Sequence, residues 1–227
     1  TEDRSDAKSY LKEFPYVNGN LFDVKITLPN FSKTTRQMIV DGASLDWQMI
    51  NPDIFGSMLQ AIINQDDRGN LGIHYTSVSN ILKLIKPLFL DDLYEDFLNS
   101  KNEEKKLEKI LREIYNLKIF DPACGSGNFL IISYKELAKL EVLIFKELQK
   151  INKLKWSIAV SGIKLNNFYG IEISNHACEI TKLSMWLSEH QMNRYFEEVF
   201  GRTKPSLPLQ NLENIINENA TRLNWLD

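Results

Sequence analysis

The chain has 227 residues, 43% of them hydrophobic and 25% charged, which is the balance of an ordinary globular protein. Its 27 basic and 30 acidic residues give a formal net charge of −3, so composition provides no general basic surface for nucleic acid. Two cysteines are too few for a disulfide framework, and no apolar run is long enough to cross a bilayer. Because no signal peptide is evident either, we expect a soluble protein in a reducing, cytoplasmic setting.

Residues 1–70 are predicted to form an N-terminal segment that is spacer-like and largely helical. Within it, residues 1–43 mix aromatic residues, prolines and charges without a clear period, which predicts short strands, turns and loop for that part. Asn51-Pro52 is typical of a helix start, with asparagine as the N-cap and proline at the first helical position.

Residues 71–115 are predicted to be a helical segment. Thr76 or Ser77 is expected to cap its first helix, and Pro87 should kink or end that helix because proline lacks the backbone donor. After a second apolar-periodic stretch, Lys101–Tyr115 is predicted to form a charged amphipathic helix. The glutamates interspersed with its lysines favour a solvated face over a surface that contacts phosphates.

From residue 117 the pattern changes to strands that alternate with helices. Strands are predicted over 117–121 and 167–173, each followed by a helix with 3.6-residue periodicity, over about 126–150 and over 174–193. The stretch 151–166 is compatible with either a short helix or a loop.

A third strand is predicted to begin at Ile215-Ile216. Two β–α units and the start of a third imply parallel strands with flanking helices. The predicted fold class is therefore α/β, a partial Rossmann-like sheet preceded by a mainly helical segment. A complete doubly wound sheet needs more strands than these residues supply, so we interpret residues 116–227 as a truncated N-terminal half of such a domain.

The most informative stretch runs from Asp121 to Leu130, where the first strand turns into the following helix. Glycine at 125 and 127 removes the Cβ atoms that would block a ligand, so that backbone N–H groups can approach it. Asp121 places a negative charge at the carboxyl end of the strand, where open α/β sheets bind ligands. Such a carboxylate repels a pyrophosphate and attracts an ammonium group, which favours S-adenosylmethionine over a dinucleotide.

A second acidic residue, Glu172, ends the next predicted strand. One carboxylate can accept hydrogen bonds from two vicinal hydroxyls, so Glu172 is a candidate for binding a ribose. Ile173 would then lie against an adenine ring. The alternative is that Glu172 only caps the helix that starts near Ser174.

Together these motifs resemble those of the adenine-N6 DNA methyltransferases. Asp121–Leu130 resembles their motif I, Gly72–Ser77 their motif X and Phe168–Ile173 their motif II, and the order X, I, II is that of the gamma class. The chain is most similar to the MmeI-like enzymes, which are single-chain type II restriction–modification enzymes. Residues 215–225 resemble motif III, with Glu218 in place of the more usual glycine.

This resemblance implies S-adenosylmethionine as the cofactor and a role for each matching residue. Tyr75 and Thr76 would approach the carboxylate end of its methionine, and Asp121 with the 123–127 backbone would hold the amino-acid moiety. Asn219 would border the adenine edge, although an ordinary turn residue is the alternative there. The implied cofactor-binding residues are Tyr75, Thr76, Asp121, Ala123, Cys124, Gly125, Gly127, Asn128, Phe129, Glu172, Ile173, Asn219 and Ala220.

The family's catalytic motif, Asn/Asp-Pro-Pro-Tyr/Phe, is absent, because none of the seven prolines is adjacent to another. In the family this motif polarises the target amino group and stacks on a flipped adenine. We therefore assign no catalytic residue and expect these residues to be inactive alone. The resemblance implies double-stranded DNA as the partner of the full-length enzyme, with no membrane and no obligate protein partner.

Several other interpretations are kept. Cys124 at a strand–helix turn could be a nucleophile of the cytosine-C5 type, although a small pocket-lining residue is favoured because those enzymes place their cysteine in a later loop. The histidines at 74, 176 and 190 have no metal-ligand spacing, so no metal is predicted. The alternatives for function are a methyltransferase of the same fold that acts on RNA or on protein glutamine, and a non-catalytic interaction module.

Overall fold

In the computed structural model of the chain, most of the second half and part of the first half are described. The described residues are 5, 8–13, 17, 30–45, 54, 57–58, 76–202, 204, 209 and 211–224. They fall into two compact units, residues 1–51 with 207–211 and residues 52–206 with 212–227. Among them, no helix combines the length and apolar character needed to cross a bilayer.

Two helices are described in the first unit, α1 (Ser9–Lys12) and α2 (Lys33–Ala43). The expectation of short strands, turns and loop over 1–43 is wrong at these positions. Helix α2 begins where the Ser32 hydroxyl accepts a hydrogen bond from the Thr35 N–H, and its β-branched residues had weakened the helical signal. The predicted helix start at Asn51-Pro52 lies outside the described residues.

From residue 76 onward, the described part of the second unit starts with α3 (Val78–Ile85), whose N-cap residue, Ser77, is extended and makes no side-chain capping hydrogen bond. A π-helical turn, Lys86–Leu90, follows and leads directly into α4 (Asp91–Asn99). Pro87 perturbs the helix as predicted: the turn widens, and the Asp91 N–H donates to the Lys86 carbonyl five residues back.

Helix α5 (Glu104–Asn116) is the predicted charged amphipathic helix. Its apolar stripe is buried, and its charged face carries spaced ion pairs such as Lys106–Glu103 and Lys109–Glu113. This arrangement confirms the prediction of a solvated charged face.

Three described strands form a parallel sheet in the order β1 (Ile119–Asp121), β2 (Phe168–Glu172) and β3 (Ile215–Asn217). The predicted parallel sheet and α/β class are confirmed. In the register, Asp121 pairs with Gly170 and Glu172 with Asn217. Because parallel strands bring their carboxyl ends to one edge, Asp121 and Glu172 both end strands at that edge.

Two long helices follow the first two strands, α6 (Asn128–Ile151) after β1 and α7 (Asn175–Phe200) after β2. They pack on each other and on the sheet. Tyr134 of α6 meets Phe168 of β2 edge-on with ring centroids 5.6 Å apart, and Phe145 meets Phe196 of α7 at 6.0 Å. This apolar layer joins the two helices to each other and α6 to the amino end of β2.

The connection from α6 to β2 is a loop that ends in a 3₁₀ turn, Leu165–Asn167. Of the two predicted possibilities for 151–166, the loop is therefore the correct one. Polar side chains fasten it to the helices. The Trp156 indole donates to Glu104 of α5 at 2.8 Å, and the Gly162 N–H donates to buried Glu141 of α6 at 2.6 Å.

Candidate functional site

A cavity of about 680 Å³ opens at the carboxyl edge of the sheet. This volume lies within the usual range for small-molecule sites. Four parts of the chain line it: α3 with Thr76 ahead of it and the π-helical turn after it, the stretch from the end of β1 to the start of α6, the end of β2, and the residues after β3. The lining residues are Thr76, Asn80, Ile81, Leu84, Leu88, Phe120, Asp121, Pro122, Ala123, Cys124, Gly125, Ser126, Asn128, Phe129, Ile171, Glu172, Ile173, Glu218, Asn219, Ala220 and Thr221.

Asp121 supplies one of the carboxylates in the cavity wall, together with Glu172 and Glu218. Its Oδ1 accepts a hydrogen bond from the Ala123 N–H at 3.1 Å, which fixes the carboxylate at the start of the loop. Burial raises the pKa of Asp121; the Ala123 N–H opposes this change and the charge of Glu172 adds to it. Two acidic groups therefore share one cleft, and an occupant with positive charge would relieve their repulsion.

Glu172 supplies the second carboxylate and is 6% exposed. Its Oε2 accepts the Gly125 N–H at 2.9 Å and its Oε1 accepts the Ser174 N–H at 2.8 Å. Thus Glu172 binds backbone just before α7 and also faces the cavity, but it is not the cap of that helix: the N-cap is Ser174, whose hydroxyl accepts the Ala177 N–H. A carboxylate has about four acceptor positions, so about two are available to ligand hydroxyls.

Two glycines shape the loop between β1 and α6. Both have left-handed backbone, with φ of +56° at Gly125 and +82° at Gly127. A Cβ atom at Gly125 would meet nothing within 4 Å, whereas one at Gly127 would lie 2.6 Å from the Thr181 methyl group on α7. The expectation that both glycines clear space for a ligand is thus corrected: Gly127 makes room for α7, and it is not among the cavity-lining residues.

Cys124 lies in the same loop and is 6% exposed. Its N–H donates to the Ile171 carbonyl at 3.0 Å, which extends the pairing of the loop with β2. Burial, with the nearby charges of Asp121 and Glu172, raises the pKa of the thiol to about 12. A protonated thiol is a poor nucleophile, so the interpretation of Cys124 as a pocket-lining residue is preferred over a covalent role.

The residues after β3 close one side of the cavity. The Asn217 amide donates to the Glu172 and Ile173 carbonyls, both at 2.9 Å, which joins the ends of β2 and β3. Asn219 Oδ1 accepts from the Thr221 N–H at 3.0 Å and from its hydroxyl at 2.8 Å. Asn219 therefore makes the turn that its alternative interpretation described, and both it and Ala220 line the cavity.

Most of the other predicted residues also reach the cavity. Thr76, Ala123, Phe129 and Ile173 line it, and Ile173 is 50% exposed there. Asn128 lines it as well; this side chain is 6% exposed and its Oδ1 has no hydrogen-bond partner. Tyr75 lies outside the described residues.

Sequence reasoning missed the apolar wall that the helices add. Leu84 and Leu88 line the cavity although they are 56% and 62% exposed, and Phe120 joins them from β1. The signal was present, because Leu84 and Leu88 are four residues apart and lie off the buried stripe of α3. It also missed Thr181, whose hydroxyl contacts the loop from α7.

Comparison with known proteins identifies the family of this chain. A family model described as the MmeI DNA-methyltransferase domain matches residues 97–227. The chain belongs to this family.

Relatives of the MmeI-like chain support the same assignment. It is 50% identical over 227 residues to "DNA methyltransferase A" of Bacillus subtilis (strain 168), which covers 99% of the chain and 26% of that relative. It is 29% identical over 264 residues to a putative type II restriction enzyme and methyltransferase of Methanocaldococcus jannaschii, with 96% and 22% covered. The chain thus spans about a quarter of the length of these relatives.

A solved structure of the Type IIL restriction–modification enzyme MmeI in complex with DNA is also similar. Its TM-score is 0.85 at 41% sequence identity, over 97% of this chain and 30% of that one. The MmeI-like family and the α/β fold inferred from the sequence are therefore confirmed.

Proposed function

We propose that this chain is the S-adenosylmethionine-binding part of a DNA adenine-N6 methyltransferase in a restriction–modification system. The observation that carries the proposal is the meeting of Asp121 and Glu172 at one cavity, at the carboxyl edge of the sheet. A sulfonium nucleoside that also bears an ammonium group complements two carboxylates electrostatically. Its ribose diol matches the acceptor positions that Glu172 has left.

The remaining lining residues fit the other parts of such a ligand. Ile173 offers exposed apolar surface to a flat ring, while Asp121 and the loop backbone would hold the amino-acid end. The unpartnered Oδ1 of Asn128 is an acceptor suited to an ammonium N–H. Tyr75 and Thr76 would approach the carboxylate end. When bound, this cofactor supplies a methyl group on a positively charged sulfur, for direct transfer to N6 of a flipped adenine.

Support for DNA as the acceptor comes from the names of the relatives, a DNA methyltransferase and an enzyme solved in complex with DNA. Burial, which raises the pKa of the Cys124 thiol, also argues against a covalent cysteine route. The chain's own residues would bind and orient the methyl donor. The Asn-Pro-Pro-aromatic motif that would position the adenine is not found in these 227 residues.

Donor binding is tested by titration calorimetry with S-adenosylmethionine. In Glu172→Gln, an amide NH₂ replaces one acceptor oxygen and faces a backbone N–H. Because charge-assisted hydrogen bonds are lost, we expect the dissociation constant of S-adenosylmethionine to rise at least about tenfold. The matched control is Glu179→Gln, an exposed glutamate on α7 that pairs with Lys182. Absence of binding heat in the folded wild-type protein would favour a non-catalytic interaction module instead.

The acceptor is tested with the whole protein and methyl-labelled S-adenosylmethionine. Duplex DNA containing adenine should become labelled at N6, and the same duplex with N6-methyladenine at the target position should not. Label that enters RNA, a protein glutamine or cytosine, with none in adenine of DNA, would contradict the adenine assignment while leaving donor binding intact.

A further inference from the structure

Thr181 lies on α7, the helix that follows β2, and is completely buried at 0% exposure. Its hydroxyl donates a hydrogen bond to the Gly125 carbonyl at 2.9 Å, across 56 positions of sequence. Its methyl group packs where a Cβ atom of Gly127 would stand, 2.6 Å away. One side chain therefore touches both glycines of the loop between β1 and α6.

Both backbone polar groups of Gly125, which belong to successive peptide groups, are hydrogen-bonded to side chains. Its N–H donates to Glu172 Oε2 at 2.9 Å, and its carbonyl accepts the Thr181 hydroxyl at 2.9 Å. A left-handed glycine has broad conformational freedom, so these contacts are what restrict it to one orientation. The peptide group that carries the Gly125 N–H is also held at the Cys124 carbonyl, which accepts the Gly127 N–H at 2.8 Å. Loss of the Thr181 hydroxyl would release the following peptide group and allow rotation about Gly125, which would shift the N–H that positions Glu172.

From these contacts we propose that Thr181 is a positioning residue of the methyl-donor site, acting through the backbone conformation of Gly125 on the carboxylate of Glu172. This inference rests on the proposed function, because it assigns Thr181 to the same donor site. Thr181 does not line the cavity and so would touch no ligand. Its effect is to hold the Gly125 backbone and the Glu172 carboxylate at a fixed distance and orientation. Binding sites depend on such supporting residues to keep ligand-contacting groups in place.

Two variants separate the hydroxyl from the methyl group. Thr181→Val keeps the shape and removes the hydroxyl, whereas Thr181→Ser keeps the hydroxyl and removes the methyl group that packs on Gly127. Both are expected to lower the melting temperature modestly. We expect the dissociation constant of S-adenosylmethionine to rise about tenfold in Thr181→Val, the effect of one lost hydrogen bond, and to stay within about twofold in Thr181→Ser. If Thr181 had only a structural role, the loss of donor affinity in each variant would follow the drop in its melting temperature.

Amide hydrogen exchange gives a readout that needs no ligand. The Gly125 amide should exchange faster in Thr181→Val than in Thr181→Ser, while amides in the middle of α7 stay protected in both. Equal exchange of Gly125 in the two variants would overturn the proposal, as would equal donor affinity in wild type and Thr181→Val. If wild type bound no donor at all, the proposed function itself would fail and this role would fall with it.

Discussion

At the scale of single residues, the site is defined by two carboxylates that the sheet brings together. Backbone N–H groups donate hydrogen bonds to each carboxylate and stabilise its negative charge. The donor to Asp121 is the Ala123 N–H, and the donors to Glu172 are the Gly125 and Ser174 N–H groups. Burial and the charge of Glu172 both raise the pKa of Asp121, against the lowering effect of its N–H partner. The cavity is thus electrostatically suited to a cationic occupant, and its affinity for one should depend on pH.

The pH dependence of donor binding tests this view of Asp121. The ionised form attracts an ammonium group, so affinity should fall as pH is lowered through the raised pKa of Asp121. Asp121→Asn should bind more weakly at neutral pH and should lack this part of the pH dependence, as measured by calorimetry over a pH series. Parallel pH profiles in the two proteins would show that Asp121 does not face the bound charge.

At the scale of elements, the loop from β1 to α6 is the part on which the site depends most. It folds back onto β2 through the Cys124 N–H and onto α7 through Thr181. Gly125 and Gly127 both have positive φ, but a Cβ atom added at Gly127 would overlap the Thr181 side chain, whereas one added at Gly125 would meet nothing within 4 Å. The two glycines therefore have different roles, one in orienting a peptide toward the cavity and one in close packing of a helix.

Alanine substitution should separate the two glycines. Gly125→Ala should cost about 1–2 kcal/mol of unfolding free energy, the penalty for left-handed backbone in a residue with a Cβ atom. Gly127→Ala should lose about 1–3 kcal/mol beyond that, because its Cβ would overlap Thr181. Urea denaturation of both variants measures the difference. Equal losses would mean that α7 can move away from the loop without cost.

The same loop shows how far sequence reasoning reached. The residue types at 121, 125 and 172 indicated a ligand site because acidic strand ends and glycine turns have direct chemical meaning. The role of Gly127 was misjudged, since its neighbour Thr181 is distant in sequence and comes close only when α7 packs on the loop. The Leu84–Leu88 wall was missed for a similar reason: only the fold decides which exposed face of a helix borders a cavity.

At the scale of the whole molecule, a buried carboxyl group links α6 to the long connection before β2. Glu141 is 0% exposed, and its Oε1 accepts the Gly162 N–H at 2.6 Å. Burial raises the pKa of Glu141, although Gly162, Ser161, Tyr115 and Lys204 all act to lower it. The folded protein therefore binds this proton more tightly than the unfolded chain does, and the stability of the fold depends on it.

The pH dependence of stability should reveal this group. Because the folded pKa is raised, the contribution of Glu141 to stability is fully present below its unfolded pKa and is lost as pH rises through the folded pKa. Glu141→Gln lacks this loss, so the unfolding free energy of wild type should decline relative to the variant across that window and then run parallel. Urea titrations over a pH series measure it, with Glu179→Gln as the exposed control. A constant difference at all pH values would contradict the assignment.

From residue 104 onward, the sequence by itself determined the order of strands and helices, the parallel sheet and the two acidic strand ends, because these follow from local periodicity and from side-chain chemistry. The tertiary structure alone decided which groups hold one another: Glu172 with the Gly125 peptide, Gly127 against Thr181 and Asn217 across to β2. Such contacts join positions 45 or more residues apart. No local pattern specifies them, since they arise only when buried apolar surface brings the elements into register.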